Sequence, residues 1–194
     1  QEFIPTDEEQ RLYDLVSDYL QSPTLFALPA SQRHLMTLIL RKLLASSTYA
    51  ITGTLESLAK KLENIIENHN SENLEEKINE EVENFDEIKD EWSEESEECI
   101  EPEVFTDDDI KAIKSEIGSL KDFHKLSKSI IKNSKGEVLL TALKKGFEKA
   151  QELGANKKAL IFTESTRTQE YLKNILENTE YSGKVVLFNG SNTD

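Results

Sequence analysis

The chain has 194 residues, 37% of them hydrophobic, and its 38 acidic side chains outnumber 23 basic ones for a formal net charge of -15. That length supports one or two modest domains with real cores, while a single cysteine, Cys99, excludes an internal disulfide. With neither a long apolar span nor a charged-then-apolar leader, the expected setting is cytoplasmic and away from any membrane.

In chain order, Pro5-Thr6 ahead of Asp7-Glu8-Glu9 predicts a helix start, with Thr6 as N-cap, Glu9 three residues on, and acidic groups near the positive helix end. Leu12, Leu15, Val16, Tyr19 and Leu20 form its apolar stripe to about Gln21, where Ser22-Pro23 stops it. A second helix runs from Pro29 or Ser31 to about Ser46. Its apolar residues, from Leu35 and Met36 to Leu43 and Leu44, cover most of the circumference and predict the central helix of a bundle. Arg33, Arg41 and Lys42 are its basic remainder, read as a solvated face because no aromatic residues interleave with them. After the break at Ser46-Ser47-Thr48, a third helix is expected from Thr54 to Ile66.

Charge is concentrated next. Residues Glu67 to Glu103 hold 17 acidic residues and 2 lysines, and the remaining 21 acidic residues are matched by 21 basic ones, so the net charge describes one segment. Within it Leu74, Ile78, Val82, Phe85, Ile88 and Trp92 recur at helical steps and predict an amphipathic helix, followed by a loop from Ser93 to Glu103. The plain reading is an accessory insertion packed on the bundle. The functional one is a docking helix for a basic protein partner, or an intramolecular cover over a binding cleft.

Thr106 followed by Asp107-Asp108-Asp109 repeats the capping pattern and opens the longest helix, with Ile110, Ile113, Ile117 and Leu120, then Phe123, Leu126, Ile130 and Ile131. Its register shifts after Leu120, which favours packing on the bundle over an extended coiled coil. Asn133-Ser134-Lys135-Gly136 reads as a hinge. A further helix spans Glu137 to Leu153 and ends at Gly154, placed as a left-handed C-cap. Ala159 to Phe162 is a short apolar run suited to a strand buried on both faces of a parallel sheet. Thr166 or Ser165 caps a helix carrying Tyr171, Leu172, Ile175 and Leu176 on one face, and Val185 to Phe188 is a second strand. Strand, crossover helix, strand is a βαβ unit. The fold class is thus mainly α, a helical bundle over 1–132 with the acidic insertion at 67–103, followed by a partial α/β unit over 133–194.

The chemistry-bearing residues are few. His34, His69 and His124 have no partner at ligand spacing, so no metal site is expected. No nucleophile sits at plausible spacing from a base, and no glycine-rich phosphate loop is present. Ligands of open α/β sheets gather beyond the carboxyl ends of strands, and a helix N-terminus there offers amides to phosphate. That points to Thr163, Ser165, Thr166 and Arg167, with Asn189 to Asn192 on the same edge. Thr163 or Thr166 acting only as a cap is the plain alternative.

The run Ala-Leu-Ile-Phe-Thr-Glu-Ser-Thr-Arg-Thr-Gln-Glu-Tyr-Leu, residues 159–172, resembles the fourth helicase motif, which opens the second RecA-like lobe of superfamily-two helicases of the Swi/Snf-like branch. Phe188-Asn189-Gly190-Ser191 resembles the next strand and its glycine turn. Glu9 to Tyr13 and Leu40 to Ser47 look like the helical connection between lobes in bacterial members. The Walker-type loop, the Asp-Glu-x-His box and the arginine-finger motif are absent. The resemblance implies an internal fragment, inactive alone, of an ATP-dependent DNA helicase or translocase. ATP, Mg and DNA would belong to the full-length parent, with Thr163, Ser165, Thr166 and Arg167 facing the nucleic-acid backbone. The rival reading is a helical protein-interaction module with an acidic docking helix.

Overall fold

The computed structural model describes residues 2–28, 33–68 and 105–188. Helix α1, Asp7–Leu20, begins at a closed capping box: Thr6 Oγ1 accepts from Glu9 N at 3.2 Å, and Glu9 Oε2 accepts from Thr6 N at 2.7 Å. Its stripe buries Leu12, Val16, Tyr19 and Leu20. Helix α2, Arg33–Ser46, buries Met36, Ile39, Leu40, Leu43 and Leu44, which is one stripe at helical spacing. Leu35 and Leu38 stay 40% and 50% exposed, so α2 flanks the bundle and is not its centre.

That centre is helix α3, Thr48–Asn68, which starts six residues before the expected Thr54. Ile51, Thr52 and Gly53 depress helix propensity there, but Ala50 and Ile51 are fully buried and Ser47 Oγ accepts from Ala50 N at 3.0 Å. Burial and a cap outweigh propensity. Helix α4, Asp107–Ser129, lies along α3 in the most extensive helix pairing of the fold. It opens on the second capping box, Thr106 with Asp109, and buries Ile113, Ile117, Leu120 and Phe123. The α1–α2 connection is tied to α4 by a buried carboxylate. Glu116 accepts from Tyr19 Oη at 2.7 Å, Phe26 N at 2.9 Å and Ala27 N at 3.1 Å.

Every member of the apolar core comes from α1 to α4 or from residues 25–28, and the residues packed against it end at Ile130. The stretch Asn133 to Gly136, expected as a hinge, is taken up by a helix start. Asn133 is the N-cap of helix α5, Ser134–Glu152, its Oδ1 accepting from Lys135 N at 3.2 Å, so the three residues after it form the first turn. Gly154 takes φ of +71° just after that helix, where a left-handed stop was expected. Helix α6, Thr166–Glu177, follows and is capped by Ser165.

The described residues are mainly helical and include no strand. The segments expected as buried strands, 159–162 and 185–188, are not strands, and Leu160, Phe162, Val186 and Phe188 are 87%, 89%, 91% and 86% exposed, while Val185 and Leu187 are half-buried. The reason is that strand status and two-sided burial both require neighbours. Here the two segments do not pair with each other. The helix expected over 74–92 and the loop over 93–103 lie outside the described residues, as do Asn189 to Asn192 and the expected α2 start at Pro29 or Ser31. None of the described helices is long and apolar enough to cross a membrane.

Candidate functional site

The residues singled out by the sequence converge on the first turn of α6 and then separate. Ser165 is 2% exposed and its Oγ accepts from Thr168 N at 3.2 Å, which makes it the cap in place of Thr166. Thr163 Oγ1 lies 3.4 Å from Ser165 N, within reach as its acceptor. Thr166, the first helical residue, faces solvent. Arg167 turns the other way. Its Nη1 donates to Thr54 Oγ1 at 3.1 Å and to Ala50 O at 3.4 Å, which seats this end of the guanidinium on α3.

Gly53 makes that seat possible. A β-carbon there would stand 2.8 Å from Arg167 Nη1, closer than a β-carbon approaches a non-bonded atom. On the neighbouring side, Thr168 Oγ1 shares hydrogen bonds with Ser46 Oγ at 2.8 Å and Ser47 Oγ at 3.0 Å. The two serines that read as a helix break therefore join the end of α2 and the start of α3 to α6.

A cleft of about 640 Å³ opens beside this cluster. Lys42, Ser46 and Ser47 line it from the bundle; Asn133, Thr163 and Thr168 line it from the C-terminal half, and Phe162, Tyr171 and Leu172 supply an apolar wall. Its cations are engaged already. Lys42 Nζ is 3.9 Å from Glu164, whereas Lys135 Nζ donates to Ala45 O and stands 5.0 Å from the Phe3 ring centre. Tyr171 Oη accepts from Asn133 N at 3.2 Å and its ring stacks on Tyr49 at 5.8 Å. Burial pushes the Tyr171 phenol above its ordinary range, opposed by the Asn133 amide and reinforced by Glu137 and Glu9. It is a neutral hydrogen-bonding group here.

Behind the cleft, one carboxylate serves two helices. Glu9 closes the capping box of α1 and also accepts from Ser134 N at 2.8 Å and from Ser134 Oγ, in the first turn of α5. Burial alone would raise its carboxyl. The Ser134 and Thr6 hydrogen bonds outweigh that and hold it below the usual range.

Among the described residues, no three His, Cys, Asp or Glu side chains come together as a metal site. His124 is pushed down chiefly by burial, and its Nε2 stands 3.8 Å from Glu56 and lacks a hydrogen-bond partner. The cleft can therefore donate and accept hydrogen bonds and present an apolar wall, but it brings together no nucleophile and base. Sequence reasoning missed Gly53, Thr168, Tyr171 and Glu9 as parts of this arrangement. Only Gly53 carried a local signal, since an isolated glycine inside a helix marks close approach by something else. No known protein family, no curated protein and no solved structure matches this chain.

Proposed function

We propose that this chain forms the inter-lobe helical region and the start of the second RecA-like lobe of an ATP-dependent, Swi/Snf-like DNA helicase or translocase. The observation that carries the reading is the succession over 159–188. An exposed apolar segment leads into a capped amphipathic helix, and a second apolar segment follows that is exposed at alternate residues, with Phe162 and Phe188 89% and 86% exposed. Such runs suit strands of a parallel sheet whose neighbours come from elsewhere in a longer protein. The helical connection packs independently of them.

In this reading ATP and Mg bind to the longer protein, and the first turn of α6 meets the DNA backbone. Thr163, Ser165 and Thr166 are at that turn, whereas Arg167 has to leave α3 before it reaches a phosphate. Thr166 is exposed and is not the cap, so its hydroxyl can be removed without uncapping α6. In the full-length protein, Thr166→Val should leave thermal stability and basal ATP hydrolysis unchanged while weakening DNA-stimulated hydrolysis. A lost hydroxyl contact of about 1 kcal/mol corresponds to roughly fivefold in DNA affinity. A full-length protein that neither hydrolyses ATP nor binds DNA would sink the proposal.

A further inference from the structure

The boundary between the helical bundle and residues 134–188 differs in kind from the rest of the interior. Of the apolar residues of α5 and α6 only Leu176 is buried, and it lies outside the main core cluster. A set of polar contacts crosses this boundary: Glu9 with Ser134, Lys135 with Ala45 O, Thr168 with Ser46 and Ser47, and Arg167 with Ala50 O and Thr54. The Tyr49–Tyr171 stack adds an apolar contact, yet Tyr49 remains 48% exposed. Helix α5 buries only Gly136 fully. When two such surfaces separate, their polar groups regain partners in water.

We infer that residues 134–188 are docked on the bundle through a reversible polar joint, with the Arg167 guanidinium seated over Gly53 as its latch. Opening detaches α5 and α6 together and leaves the α1–α4 core intact, because the chain crosses the boundary only through the short link after Ile130. The cleft lies along this joint and is lined from both sides, so its width follows the docking.

Gly53 allows a test in which the two halves respond with opposite signs. Gly53→Ala adds a better helix former to the interior of α3, and the atom it displaces is the far end of a flexible side chain, Arg167 Nη1. Helix α3 should therefore hold or gain protection while the latch is lost. In hydrogen exchange of the 194-residue chain, amides in 134–152 and 166–177 should exchange about tenfold faster, the equilibrium effect of losing one charge-assisted hydrogen bond. Those of α1 to α4 should exchange no faster than in the parent chain.

Thr168→Val, which removes the other side of the joint with little change of shape, should give the same split. Unchanged exchange of 134–177 in Gly53→Ala and in Thr168→Val would overturn the inference. So would acceleration of the bundle in step with the C-terminal half, since the two would then unfold as one unit.

Discussion

Glu9 and Glu116 belong to a chain rich in carboxylates, and burial gives each a task that no surface carboxylate has. Glu116 gathers one phenol and two backbone amides, which fix residues 26 and 27 to α4. Glu9 satisfies Thr6 N and Ser134 N at once, two of the otherwise unpaired amides at helix starts. Glu9→Gln keeps the size but places an amide donor among donors, and should cost about 2 kcal/mol of stability at neutral pH. The pH dependence has a definite sign. Because the folded carboxyl lies below its ordinary value, the stability that its charge contributes is fully present above about pH 4.3 and is lost as pH falls through the lowered folded value. Thermal melts between about pH 6 and pH 2 should therefore show less acid destabilisation in Glu9→Gln than in the parent chain. Parallel acid profiles in the two proteins would mean that Glu9 carries no such charge in the fold.

Helix starts show which structural information is local. Thr6 and Thr106 cap α1 and α4 through a carboxylate three residues on, and both boundaries follow from four consecutive residues. The start of α6 was narrowed to Ser165 or Thr166, and what decides between them is the hydrogen bond from Thr168 N to Ser165 Oγ. Ser165→Ala should remove about 1 kcal/mol of local stability, read as faster exchange of the Thr168 amide. Unchanged protection of that amide would show that the cap is made by another group. Other features were illegible for a physical reason. Gly53 and its β-branched neighbours argue against a helix until Ala50 and Ile51 are seen to be buried, and that burial depends on α4, which lies more than 50 residues away in sequence. Likewise Arg167 reads as a phosphate ligand by its place beyond an apolar run, while its acceptors belong to α3. A sequence shows what a side chain can bond, and the packing of distant elements selects among the options.

At the scale of the molecule, the helical bundle and the C-terminal half differ in how their apolar residues are used. The bundle hides Leu12, Met36, Leu62 and Leu120 almost completely, whereas Leu160, Phe162, Val186 and Phe188 stand in solvent. Exposed apolar extended segments invite pairing with other chains. The chain alone should therefore self-associate as its concentration rises. Phe162→Lys with Phe188→Lys should suppress that association, which sedimentation velocity would measure, and leave the melting temperature of the bundle unchanged because neither residue touches its core. The same pair placed in the full-length protein tests the proposed sheet. If strands from the rest of the protein cover 159–162 and 185–188, two buried aromatic residues are lost and two charges are put in their place, a change that should cost more than about 4 kcal/mol and abolish cooperative folding of that lobe. Equal tolerance of the double substitution in the chain and in the full-length protein would mean that these segments are exposed in both. The βαβ reading, and with it the second motor lobe, would then have to be abandoned.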